Sequence, residues 1–200
     1  MLLISMIACF AKKNDIPDPQ QQLLQQTTVG DEVIEQGVDL NNDGQTDFST
    51  NLEPGMIVEK LDINSDGKVD VTNHYKMRDD GSKTLVYKSV DLNWDGNVDV
   101  HTWFNLQGEI EREAIDGDFD GLTEWVDYYK GNKLVRSEVD SDFDGKSDLF
   151  RIYKSQRLEE KRYDSNGDGK IDFWQYYDAE GNLKKTGRDL DGDGEVDTRN

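Results

Sequence analysis

Asp164-Ser165-Asn166-Gly167-Asp168-Gly169-Lys170-Ile171-Asp172 runs straight into Phe173-Trp174-Gln175-Tyr176-Tyr177-Asp178-Ala179-Glu180-Gly181-Asn182-Leu183, and this stretch holds the folding logic of the whole chain. Its first nine residues set oxygen-bearing side chains at positions 1, 3, 5 and 9, with a glycine at position 6. The remainder is a short aromatic run closed by a glycine-containing turn. The nonapeptide recurs seven times in 200 residues, starting at Asp39, Asp62, Asp91, Asp116, Asp140, Asp164 and Asp189, with spacings of 23, 29, 25, 24, 24 and 25 residues. Every copy obeys Asp-x-[Asp/Asn]-x-Asp-Gly-x-x-[Asp/Glu], so the chain reads as a repeat array rather than as one domain around one core.

The spacing has a physical reason. Oxygens at positions 1, 3 and 5 point inward when a chain curls round a hard cation, glycine at 6 supplies the sharp turn, and position 7 offers its backbone carbonyl. Position 9 adds a carboxylate, directly or through water. The candidate ligands are Asp39, Asn41, Asp43 and Asp47 in the first loop, Asp62, Asn64, Asp66 and Asp70 in the second, and Asp91, Asn93, Asp95 and Asp99 in the third. They continue as Asp116, Asp118, Asp120 and Glu124, then Asp140, Asp142, Asp144 and Asp148, then Asp164, Asn166, Asp168 and Asp172, and finally Asp189, Asp191, Asp193 and Asp197. The pattern resembles the first nine positions of the EF-hand calcium loop, and it is similar to dockerin and thrombospondin type 3 repeats, which implies Ca²⁺ as the cofactor, up to seven ions. An EF-hand also needs a bidentate Glu at position 12. Here that place holds Thr50, Asn73, Thr102, Asp127, Arg151, Gln175 and Asn200, so water, the ninth residue or a neighbouring repeat must complete the six to eight oxygens calcium takes. Sites of that kind are weak, with a Kd on the order of 10⁻⁴ to 10⁻³ M.

Charge supports the assignment. Lys+Arg 23 against Asp+Glu 43 gives −20 and a pI near 4.3, a field that excludes nucleic-acid partners and repels anionic lipid headgroups. Four of the 28 ligand positions are Asn, which leaves 24 carboxylates, and without them the chain would carry +4. The excess acid therefore sits in the loops. At ~1 mM free calcium and a Kd of ~10⁻⁴ M each site adds about 1.4 kcal/mol and seven about 10, the stability of a whole domain. A hydrophobic content of 34% with mean hydropathy −0.86 argues against a large apolar core, while 18 Gly against 3 Pro and an aromatic share of 10% argue against a disordered tail.

Leading out of the loops or following them are Val69-Asp70-Val71, Val98-Asp99-Val100, Trp125-Val126-Asp127-Tyr128-Tyr129, Leu149-Phe150-Arg151-Ile152-Tyr153 and Phe173-Trp174-Gln175-Tyr176-Tyr177. Aromatic and β-branched runs of this length predict strands. Turns follow at Asn105-Leu106-Gln107-Gly108-Glu109 and Asp178-Ala179-Glu180-Gly181-Asn182, and a second strand returns to end on Val38, Leu61, Val90, Ile115, Val139 or Tyr163 just before the next loop, Arg188 being the exception. The expected fold is all-β, an elongated antiparallel array in which each calcium loop joins one hairpin to the next, over residues 29–200. The hairpin text Tyr176-Tyr177-Asp178-Ala179-Glu180-Gly181-Asn182-Leu183 resembles the variant membrane occupation and recognition nexus repeat of bacterial proteins, which implies the same growing meander. A closed propeller-like ring is the alternative.

The single cysteine, Cys9, closes the apolar run Met1-Leu2-Leu3-Ile4-Ser5-Met6-Ile7-Ala8. Met6-Ile7-Ala8-Cys9 resembles the lipobox of bacterial lipoproteins, with Met6 where Leu is usual and no basic segment ahead of it. Residues 1–9 are thus expected to be a signal segment and lipidation site, and residues 10–28, with Gln20-Gln21-Gln22-Leu23-Leu24-Gln25-Gln26, a polar tether. The location this implies is a bacterial cell envelope, periplasmic or cell-surface, with membrane contact by anchor alone.

Nothing in the sequence supplies a nucleophile with a base beside it, and His74 and His101 fall inside strand segments, so an enzyme is not expected. The expected role is structural or adhesive, with an envelope protein or polysaccharide as partner. One alternative is a carbohydrate-binding surface built from the recurring strand aromatics Trp103, Phe104, Trp125, Tyr128, Tyr129, Trp174, Tyr176 and Tyr177, although rings at matched strand positions also serve simply to pack a sheet. A calcium sensor or buffer is the other.

Overall fold

Fifteen strands follow one another in a single antiparallel sheet whose spatial order is the chain order. They are β1 (Leu23–Val29), β2 (Glu32–Val38), β3 (Phe48–Glu53), β4 (Met56–Leu61), β5 (Val71–Met77), β6 (Lys83–Val90), β7 (Val100–Phe104), β8 (Ile110–Ile115), β9 (Trp125–Lys130), β10 (Lys133–Val139), β11 (Leu149–Lys154), β12 (Arg157–Tyr163), β13 (Phe173–Tyr177), β14 (Leu183–Arg188) and β15 (Thr198–Arg199). This computed structural model describes residues 23–29 and 32–199. The sheet stays open, with β1 and β15 at its two ends, so the ring alternative is excluded. Pairing starts at Leu23, inside the stretch read as tether, because β1 needs only backbone partners along β2 to join the sheet. The signal segment and Cys9 lie outside the described residues.

The two kinds of connection fall on opposite sides. Short turns close the hairpins on one side, including Gly131-Asn132 at φ 58° and 56° and Ser155-Gln156 at 51° and 64°, the left-handed pairs that match strand twist. All seven nonapeptides lie on the other side, between β2 and β3, β4 and β5, and so on to β14 and β15. At about 4.8 Å per strand the seven loops line an edge of about 58 Å from first to last.

Register turns the sequence pattern into rows. Val38, Phe48, Leu61, Val71, Val90, Val100, Ile115, Trp125, Val139, Leu149, Tyr163 and Phe173 pair in unbroken succession directly behind the loops, until Arg188 ends the apolar row. These are the residues that flank each nonapeptide in sequence. Val38, Val71, Val90 and Val139 of that row are buried, and Val58, Ala114, Val126 and Trp174 are buried on the opposite face. Substantial contacts join only strands adjacent in the chain, so among the described residues no second layer covers either face. Each repeat is therefore held by its two neighbours, and stability accrues hairpin by hairpin.

Candidate metal centre

All seven nonapeptides fold identically, and their own carboxylates shape them. The first Asp accepts the N–H of residue 4 on Oδ1 at 2.6–2.9 Å and the N–H of the glycine on Oδ2 at 2.7–2.9 Å in every copy, from Asp39 to Asp189. The fifth Asp accepts the N–H of residue 7. The ninth carboxylate accepts the N–H of residue 2 at 2.6–3.1 Å. Its own N–H donates to the carbonyl just before the loop, as Asp47 does to Val38 at 2.9 Å. Three carboxylates in every loop are thus held on one curl of backbone, each with lone pairs remaining for a further partner.

The loops differ at position 3. Where it is Asn, the amide donates to the fifth carboxylate: Asn41 to Asp43, Asn64 to Asp66, Asn93 to Asp95 and Asn166 to Asp168, at 2.9–3.3 Å. Where it is Asp no such donor exists, and carboxylate oxygens gather within 4.8 Å of one another: Asp116, Asp118, Asp120 and Glu124; Asp140, Asp142 and Asp148; Asp189, Asp191 and Asp197. Asp144 and Asp193 stand outside those groups. Crowding shows in Asp142, whose carboxyl is pushed above its usual range by lost solvation first and then by Asp144, Asp148 and Asp140. Asp95, held by the Asn97 N–H and the Asn93 amide, and Asp189, held by the Gly194 N–H, move the other way.

Burial sharpens the need for a counter-charge. Asp39, Asp47, Asp62, Asp70, Asp91, Asp99, Asp116 and Asp140 are all buried. Asp70, only 2% exposed, gives Oδ2 to the N–H groups of Ile63 and Asn64 while its Oδ1 has no partner at all. A buried carboxylate oxygen without a partner is costly unless a cation meets it. An all-oxygen, carboxylate-rich donor set suits a hard divalent cation.

Neighbouring loops touch. The N–H of the first Asp donates to the carbonyl of the ninth residue of the preceding loop in all six steps, at 2.8–3.1 Å, from Asp62 to Asp47 through Asp189 to Asp172. Ser65 Oγ accepts from Asn41 Nδ2 and donates to Asp47 Oδ1, placing a hydroxyl of the second loop among the ligands of the first. Lys68 and Lys170 reach the carbonyls of Asp95 and Gly192 in the loops that follow them.

The twelfth positions sit elsewhere. Among the described residues Thr50, Asn73, Thr102, Asp127, Arg151 and Gln175 lie inside strands, and with their cross-strand partners Glu59, Lys88, Glu113, Ser137, Lys161 and Thr186 they form one polar row across the face that carries the apolar row. Asp127, the single acid among the twelfth positions, accepts from Ser137 Oγ at 2.5 Å and Trp125 Nε1 at 2.7 Å. Beside it, burial raises the Glu113 carboxyl, and Asp127 raises it further.

Sequence reasoning missed position 4. Its φ is positive in every copy: Asn42, Ser65, Trp94, Phe119, Phe143, Gly167 and Gly192, at 61–80°. Asn and Gly in three copies are the signal that could have shown it, since they adopt this conformation most readily. The strand aromatics find partners within the sheet. On the other face His74, Tyr87, His101 and Trp103 pack ring to ring at 5.2–6.0 Å, and Tyr87 shares a hydrogen bond with His101. Arg112 lies over Trp103 at 4.5 Å and Arg136 over Tyr128 at 4.2 Å, so these rings are engaged within the sheet.

No protein-family profile and no curated protein matches this chain. A solved structure described as the crystal structure of accessory secretory protein 1, 2 and 3 in Streptococcus pneumoniae is similar over 68% of this chain and 23% of its own, at 12% identity and a TM-score of 0.30. At that level the likeness carries no argument about function.

Proposed function

We propose that this chain is a calcium-stabilised β-hairpin repeat protein of a bacterial envelope, anchored through Cys9, with a structural or adhesive role. The observation that carries the reading is the buried, partnerless Oδ1 of Asp70 inside a loop geometry repeated seven times on one edge. Calcium is preferred to magnesium because the loops offer many oxygens without a rigid octahedron. The ion would be held by the side chains at positions 1, 3, 5 and 9, and the backbone bonds between loops would make each occupied site favour the next.

Calcium is titrated into chelator-treated protein, with far-UV circular dichroism reporting folding and calorimetry counting sites. Gain of β-structure between submillimolar and millimolar calcium, with about seven sites and a Hill coefficient above one, is the expected result. Full β-structure in chelator with no calcium uptake would overturn the reading, and a micromolar Kd would move it to a sensor or buffer.

A further inference from the structure

Metal binding leaves one feature of the loop edge unexplained. Trp94, Phe119 and Phe143 occupy position 4 of three consecutive loops at φ +64°, +67° and +63°, with 56%, 42% and 57% of their surface exposed. Within its own loop this residue gives only its backbone N–H, which the first Asp takes up; Ser65 also reaches Asp47 of the preceding loop through its hydroxyl, whereas a phenyl or indole ring adds no oxygen to either cage. Bulky residues in this conformation are strained; Gly167 and Gly192 avoid the strain, Asn42 lessens it, and Ser65 keeps the side chain small. Strain kept at a residue that packs against little points to a use for the side chain in solvent. The same edge carries nine of the 14 exposed large apolar residues of the described chain.

We propose that Trp94, Phe119 and Phe143 form a docking row for one chain of a neutral β-1,4-linked polysaccharide. Charge, shape and period select that partner. The three loops hold eleven carboxylates and one lysine, so the edge stays negative even with a divalent cation in each, and polyanions are repelled. A neutral sugar chain is not. The rings stand on an edge instead of lining a groove, which suits a ligand that brings flat C–H faces of its own, as pyranose rings do. Successive loops are two strands apart, a step of about 9.5 Å. In a β-1,4-linked glycan each sugar is turned over relative to the last, so the same face recurs at every second sugar, a step of nearly that length. Sheet twist of about 20–25° per strand carries the row round, which fits a single pliable chain and not a flat crystal face. The strand rings are no competitors, since His74, Tyr87, His101 and Trp103 stack on one another.

The row rests on the calcium reading only in that the ion would hold the loops in shape. Calorimetry on the calcium-loaded full chain tests it with cellohexaose, chitohexaose, cellobiose and polygalacturonate, alongside the triple variant Trp94→Asn, Phe119→Asn, Phe143→Asn. Asparagine is native at this position in the first loop, so the variant keeps its fold, Tm and calcium count, or gains in Tm. A hexasaccharide should bind, the disaccharide about tenfold or more weaker because it meets one ring, and the triple variant should lose about tenfold or more. No binding of either hexasaccharide, equal binding by the variant, or tighter binding of polygalacturonate overturns the proposal. Sugar binding that the variant abolishes in a protein taking up no calcium keeps the row and fells the calcium reading. Calcium uptake without sugar binding does the reverse.

Discussion

Asp70→Asn separates a metal ligand from a loop cap. In the chain as folded, Asp70 Oδ2 accepts from Ile63 N at 2.6 Å and Asn64 N at 3.1 Å, while Oδ1 is buried without a partner. The amide keeps an oxygen for both N–H groups and removes a buried charge. In chelator the relief of that charge, of order 1 kcal/mol or more, is offset by weaker bonds to the two donors, so stability should hold or rise slightly. With ~1 mM calcium and a Kd of ~10⁻⁴ M the site contributes about 1.4 kcal/mol, and losing the charged ligand removes most of it. At about 2–4 °C per kcal/mol for a chain of this size, Tm should fall by about 3–6 °C in calcium and by nothing in chelator. Paired calorimetric melts measure both. An equal fall in the two buffers would show that Asp70 only caps its loop and would refute the argument.

Two further substitutions probe the sheet and the loop backbone. Glu113 is raised above its ordinary value of 4.5 by burial and by Asp127, so its protonated form favours folding. Its contribution is full below pH 4.5 and is lost as pH rises through the folded value; Glu113→Gln should therefore match the parent in acid and exceed it at pH 8, and denaturant titrations that show parallel pH profiles would contradict this. Gly121 has φ +91° and no atom within 4 Å of an added Cβ, so Gly121→Ala should cost about 1–2 kcal/mol from backbone strain alone and weaken calcium uptake at that loop, as melts and site counting would report.

Part of this molecule is legible one repeat at a time. The ligand spacing, the glycine at position 6 and the aromatic runs each depend on a few adjacent residues, so the loops, the strands and the hairpin alternation follow from text such as Asp164 to Leu183. The left-handed fourth position is local too, but Trp94, Phe119 and Phe143 mask it, because composition at that position speaks for turn chemistry only where Asn or Gly stands. The start of β1 at Leu23 escaped because its pairing needs no apolar pattern, only a neighbouring strand.

By itself the sequence determined the oxygen cage and its sevenfold repetition, since a nonapeptide's geometry is set by bonds among its own residues. Tertiary structure decided what is shared between repeats. Cross-strand register gathered the residues beside each loop into one apolar row and drew Thr50, Asn73, Thr102, Asp127, Arg151 and Gln175 into a polar row two residues further along the strands. Strand stacking brought Ser65 to Asp47. Those contacts join residues 9 to 19 positions apart, and only the pairing of whole strands fixes which of them meet.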